Sequence, residues 1–117
     1  MRDHCSLLAW QVADQIAVEV YRIATENWTP ALGPAWDQVR RSSLSTALNI
    51  AEGYRWRPGP RWRFHLRVAN GSALETSEVI RFLCRLDGIE ASRGTRLLQS
   101  SVRCERLVWG LLRHDTG

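Results

Sequence analysis

Lysine is absent from this chain, and all sixteen of its basic residues are arginine. Arginine offers phosphate or carboxylate a planar two-point fork and stacks on aromatic rings, which a lysine ammonium does not. A GC-rich coding sequence would produce the same avoidance without any functional cause. Cysteine is scarce: Cys5, Cys84 and Cys104 are odd in number, far apart and never in a C-x-x-C pair. That excludes a disulfide framework or zinc knuckle and leaves the thiols as small apolar filling. No run of about 18 uncharged apolar residues exists to cross a membrane. The opening Met1-Arg2-Asp3-His4-Cys5 is polar rather than leader-like. The expectation is a cytoplasmic protein with no membrane partner.

Catalytic signatures are missing as well. There is no H-E-x-x-H, no E-x-x-H pair for a carboxylate-bridged metal, no G-x-x-x-x-G-K and no G-x-S-x-G. His4, His65 and His114 are scattered, and His65 reads as a structural histidine beside an apolar arc. Glu52 or Glu75 as a general base is a catalytic reading with no supporting cast. The sequence therefore predicts a non-enzymatic protein with no metal, no cofactor and no catalytic residue.

What is present is a globular composition, 44% hydrophobic and 24% charged in 117 residues, which fits a single domain over 1–117. The net charge of +4 is unevenly placed. Residues 1–39 carry two arginines against five acids, residues 40–67 seven arginines against Glu52 alone, and residues 68–117 seven against six. A local excess of that size attracts polyanions or acidic protein surfaces.

Apolar residues recur at helical spacing almost throughout, and nowhere alternate as a half-buried strand would. Four helices are predicted. The first runs from an N-cap at Asp3 to about Glu26, burying Leu8, Val12, Ile16, Val20 and Ile23. The second begins near Pro34 and stops at Gly53, where a left-handed conformation is cheap for glycine; its inward face is Trp36, Val39, Ser43, Ala47 and Ile50. The small-residue run Ser42–Ala47 would let a neighbouring helix, or another subunit, approach closely. The third opens at Pro60 after the breaker Arg57-Pro58-Gly59-Pro60 and ends at Asp87-Gly88, with Trp62, Leu66, Ala69, Ala73, Thr76, Ile80 and Leu83 as its stripe. The fourth spans Ala91 to Arg113 and buries Leu98, Val102, Val108 and Leu112. Long helices on short loops predict an all-α, up-down-up-down antiparallel four-helix bundle.

On a helical wheel at about 100° per residue, Arg63, Arg67, Arg81 and Arg85 of the third helix fall within about 40°. With Arg55, Arg57 and Arg61 of the preceding loop they are candidates to track a nucleic-acid backbone, with Tyr54, Trp56, Trp62 or Phe64 for stacking. A solvated face is the competing reading of the stripe, and internal cation–π packing that of the two Arg-Trp-Arg triplets. Trp10, Trp28, Trp36 and Trp109 read as core or interface residues at helix ends. Two charges fall on apolar arcs: Arg40 among Trp36, Leu44, Ala47 and Ile50, and Glu75 among Phe64, Val68, Val79 and Phe82. An unpaired buried charge is costly, so Arg40 and Glu75 are predicted to be partly buried and to pair directly or through a network with Asn49 or Glu52.

The paired Arg40-Arg41, the helix end Asn49-Ile50-Ala51-Glu52-Gly53, the basic loop and Gly71-Ser72-Ala73-Leu74-Glu75 on the next helix occur in an order and spacing that resembles a bacterial "four helix bundle" family. It includes proteins encoded by intervening sequences of large-subunit ribosomal RNA genes and the accessory variability determinants of diversity-generating retroelements. The resemblance covers about residues 36–88. It implies an antiparallel bundle that assembles as a homo-oligomer, a pentamer in characterised members, and places the family's arginine and glutamate on Arg40 and Glu75. Retroelement members bind a reverse transcriptase and nucleic acid through basic surface. The rigid Arg57-Pro58-Gly59-Pro60 departs from the family's Gly- and Ser-rich loop. The resulting expectation is a homo-oligomeric accessory protein that binds RNA, DNA or a nucleoprotein partner such as a reverse transcriptase through Arg55, Arg57, Arg61, Arg63, Arg67, Arg81 and Arg85. The alternative is a protein scaffold without nucleic-acid activity.

Overall fold

In a computed structural model, which describes residues 3–115, four helices follow a 3-10 turn over His4–Ser6: α1 (Leu8–Asn27), α2 (Gly33–Tyr54), α3 (Pro60–Arg85) and α4 (Ala91–His114). Met1, Arg2, Thr116 and Gly117, the ends of the expected domain, lie outside the described residues. Each helix packs on the next and α4 returns to α1, while the diagonal pairs stay apart. This is the expected up-down-up-down bundle. The 26-residue α3, at about 1.5 Å per residue, is ~39 Å long, close to the 44 Å long axis of the molecule.

The helix ends show how the chain turns. Asp3 does accept a hydrogen bond from the Cys5 N–H at 3.0 Å, but it caps the 3-10 turn rather than α1, whose first residue is Leu8. As a result Leu8 sits at an open helix end, 47% exposed, and Ala9 with Val12 takes the inward position assigned to it. Gly53 does not stop α2, which runs on to Tyr54. It is a buried close-approach glycine: a Cβ there would lie 2.6 Å from His65 Cβ and 2.8 Å from Trp62 Cε3. The glycine that does need special conformation is Gly59, with φ of 135° immediately before Pro60. At the far end of α3, Asp87 takes the left-handed φ of 55°, and Gly88 N–H reaches back to Leu83 O at 2.8 Å. Glu90 then caps α4, accepting from the N–H groups of Ser92 (3.1 Å) and Arg93 (2.9 Å).

The stripes predicted for α2 and α3 are buried throughout. Helix α4 is rotated from its expected face. Leu98, Val102 and Leu112 are only half-buried, and the inward positions are Gly94, Leu97, Ser101, Cys104 and Val108. Gly94 sets that rotation, because a Cβ there would stand 2.7 Å from Cys84 Sγ.

Between the apolar ends runs a belt of buried hydroxyls: Ser42, Ser43, Thr46, Thr76, Ser77 and Ser101. Each is hydrogen-bonded within the bundle. Thr76 Oγ1 lies 2.8 Å from both Ser42 Oγ and Ser72 O, and Ser77 Oγ lies 2.7 Å from Ser101 Oγ. The small-residue run of α2 therefore serves the intramolecular contact with α3, which Ser45 and Ser72 extend outward at 2.9 Å.

Candidate nucleic-acid interface

The basic loop is ordered by aromatic rings. Arg61 lies over Trp56 with its guanidinium carbon 4.2 Å from the ring centroid, and Arg55 approaches the same ring at 5.9 Å. Trp56 itself is 42% exposed, so this Arg–Trp–Arg cluster sits on the surface. Arg57 folds back on its own helix end instead, although the residue is exposed. Its guanidinium lies 3.4 Å from the Tyr54 centroid and its Nε donates to Tyr54 O at 3.0 Å. Trp62, 4% exposed and edge-on to Tyr54, is a core residue with no ring face to offer a base.

The stripe on α3 divides in two. Arg67 and Arg85 are exposed and engage no acid among the described residues. Arg81 pairs with Glu78 at 2.9 Å in an exposed i,i+3 contact, which contributes little. Arg63 is held: its guanidinium stands 3.8 Å from the largely buried Asp115 carboxylate, which also accepts from Gly59 N–H at 3.3 Å. Fourteen residues, about 21 Å of helix, separate Arg67 from Arg81. The same angular position is filled in between by Leu74, 51% exposed. The structure thus brings Arg55 and Arg61 together, keeps Arg67 nearby on the first turns of α3, and leaves Arg81 and Arg85 as a separate pair at the other end.

Beside the loop, Asp3, His4, Glu52, Arg55, Trp56 and His65 line an open concavity of about 960 Å³. His65 is fixed by Asn49, whose Oδ1 lies 3.0 Å from His65 Nδ1 while its Nδ2 donates to Ser45 O at 2.9 Å. Glu52 is exposed at the rim.

Arg40 and Glu75 are both partly buried, yet they do not pair with each other. Arg40 bonds Asp37 one turn back on α2 and rests on the Tyr21 ring at 5.8 Å. Glu75 accepts from Gln38 Nε2, and Gln38 Oε1 in turn accepts from Arg41 at 3.3 Å. The cross-helix link to Glu75 is therefore Arg41–Gln38, one residue away from the expected arginine. Asn49 and Glu52 lie outside it.

Two features escaped the sequence reading. Helix α4 carries five arginines against Glu105 alone, a bias hidden when its charge is averaged with the acids of α3 and the following loop. Counting charge helix by helix reveals it. The second is that the apolar arc around Glu75 lies open rather than in the core. Phe64 (59% exposed), Val68 and Phe82 (51%) share the arc of Glu75, and Leu44 with Leu48 stand exposed on α2. Because Gln38 of α2 bonds Glu75, this strip borders α2 and forms the outer face of the α2–α3 pair.

Among the described residues no three His, Cys, Asp or Glu side chains gather to hold a metal ion. No helix there is long and apolar enough to cross a membrane. The fold is that of a small all-helical four-helix bundle with an arginine-bearing loop and an exposed apolar strip. The profile of the 23S rRNA-intervening sequence protein family matches residues 6–110, and the chain belongs to that family. No curated protein matches the chain.

Proposed function

We propose that this protein is a non-enzymatic, homo-oligomeric accessory protein of the cytoplasm that binds RNA or DNA, alone or within a nucleoprotein such as a reverse transcriptase complex. The observation that carries the reading is the exposed cluster of Arg55, Trp56 and Arg61, with Arg67 beyond it and, among the described residues, no acid paired with any of the three arginines. Guanidinium groups held on an indole present forked donors to phosphate, and a partly exposed indole is a side chain on which a base can stack.

Self-association is supported by the strip of Leu44, Leu48, Phe64, Val68 and Phe82. Contiguous apolar residues on one face of a small bundle mark an interaction surface. A closed ring, such as the pentamer of related bundle proteins, would cover that face in every subunit.

The test joins mass in solution with binding at low salt. The expected result is an oligomer that binds labelled single-stranded RNA or DNA, with a triple Arg55→Ala, Arg61→Ala, Arg67→Ala variant that keeps its mass and loses most affinity. A monomer, or undiminished binding by the triple variant, contradicts the proposal.

A further inference from the structure

The least extensive of the four helix–helix contacts is that between α1 and α4, and it leaves a groove of about 460 Å³ along the bundle. Its lining includes Arg22 from α1 and Arg93, Arg96 and Arg103 from α4. If the three arginines of α4 served only to fasten it to α1, each would meet one of that helix's acids, Asp14, Glu19 and Glu26. Instead Arg93 alone takes two of them, with Nε 3.0 Å from Glu19 and a terminal nitrogen 2.6 Å from Glu26. Arg22, Arg96 and Arg103 are exposed and make no ion pair among the described residues. Three cations are thus left without an ion pair in a groove whose remaining acid is Asp14, Arg96 having only a weaker electrostatic interaction with Glu90 at the start of α4.

The placement of these cations selects among anions. Arg96 and Arg103 are seven residues apart on one side of α4, about 10.5 Å along the axis, with Ser100 between them as a hydroxyl donor. Arg22 faces them from the other wall. Spaced cations along a channel suit a continuous polyanion better than a single small anion. An acidic amphipathic helix would need an apolar seat, yet Val12, Ile16 and Leu97 in the floor are only 4–6% exposed and already belong to the core, which leaves Val18, 43% exposed, as a single apolar contact in the lining.

We infer that the α1–α4 groove is a second nucleic-acid track, in which Arg22, Arg96 and Arg103 contact successive phosphates of a strand's phosphodiester backbone. This site lies apart from the Trp56 cluster, at positions the basic loop does not include. It shares with the proposed function the premise that the protein binds nucleic acid.

Labelled RNA and DNA oligonucleotides, single-stranded and duplex, are titrated against the wild type, Arg96→Ala/Arg103→Ala, Arg96→Lys/Arg103→Lys, and the loop triple variant, with circular dichroism verifying the fold of each. The groove predicts that the double alanine variant binds roughly tenfold more weakly at low salt and that its log–log salt slope for single strands is shallower by about 1.4, two phosphate contacts at about 0.7 each. The double lysine variant should keep the wild-type slope. Comparing RNA with DNA and single strands with duplexes shows which backbone is taken. Unchanged affinity and slope in the double alanine variant, alongside a loss in the loop variant, overturns the groove and leaves the loop site standing. Absence of binding by the wild type overturns both.

Discussion

Arg63 at the start of α3 and Asp115 just past the end of α4 form an ion pair at 3.8 Å, and the same carboxylate holds the Gly59 N–H at 3.3 Å. The end of the last helix thereby fastens the basic loop to the body of the bundle. Asp115 is only 5% exposed at its side chain, so its charge is sheltered from screening.

Replacing Asp115 with Ala strands the Gly59 N–H and removes the countercharge facing Arg63 Nη1, a buried nitrogen that has no hydrogen bond of its own, which costs about 1–3 kcal/mol. Arg63→Ala should cost a similar amount. The double variant should lose less than the sum, because both act through one contact. Urea unfolding of the four proteins measures this, and strict additivity would show that the pair does not couple.

Glycine at 53 and at 71 should respond to alanine in opposite directions. Both lie inside helices, where Ala gains up to about 1 kcal/mol in propensity. At Gly53 the new methyl meets His65 Cβ at 2.6 Å and the Trp62 ring at 2.8 Å, whereas at Gly71 nothing lies within 4 Å. Overpacking of about 1–3 kcal/mol outweighs the propensity gain, so Gly53→Ala destabilises and Gly71→Ala stabilises. Thermal melts of the two variants decide it.

Burial pushes the Cys104 thiol up to about 12, with the neighbouring Glu105 charge adding to the shift. The thiolate is the reactive form, and at pH 8 very little of it exists. Native protein treated with iodoacetamide at that pH should therefore be modified at the exposed Cys5 and spared at Cys104, which reacts once denaturant is added. Peptide mass spectrometry reads the order; rapid native labelling of Cys104 would contradict the burial described for it.

The parts of the fold legible in the sequence were those written in large apolar side chains. Trp36, Val39 and Ile50 on α2 and Trp62, Leu66, Ile80 and Leu83 on α3 recur every three or four residues, and all are buried. Helix α4 was harder, because Gly94, Ser101 and Cys104 occupy inward positions and small residues give the period little contrast. Phe64, Val68 and Phe82 form an apolar arc as regular as a core stripe, and the wheel cannot distinguish an exposed apolar face from one buried in the subunit. Gly53 was read as a stop since glycine often ends helices, but its missing Cβ is used sideways against α3. For the candidate site, the wheel located Arg40 and Glu75 at partly buried positions, but not which side chain bridges α2 and α3. That is decided by the reach of Gln38 between Arg41 and Glu75. Nor could spacing alone tell that Arg57 is taken up by Tyr54 and Arg63 by Asp115 while Arg55 and Arg61 stay on an exposed ring.

The most direct test of the central claim, that the arginine surface binds a nucleic-acid backbone, is the dependence of RNA and DNA affinity on salt for the wild-type protein. With several arginines releasing counterions, the account predicts a straight log–log line for single strands with a slope of about −2 or steeper, since each phosphate contact contributes about −0.7. A flat line, or no binding at low salt, would contradict it.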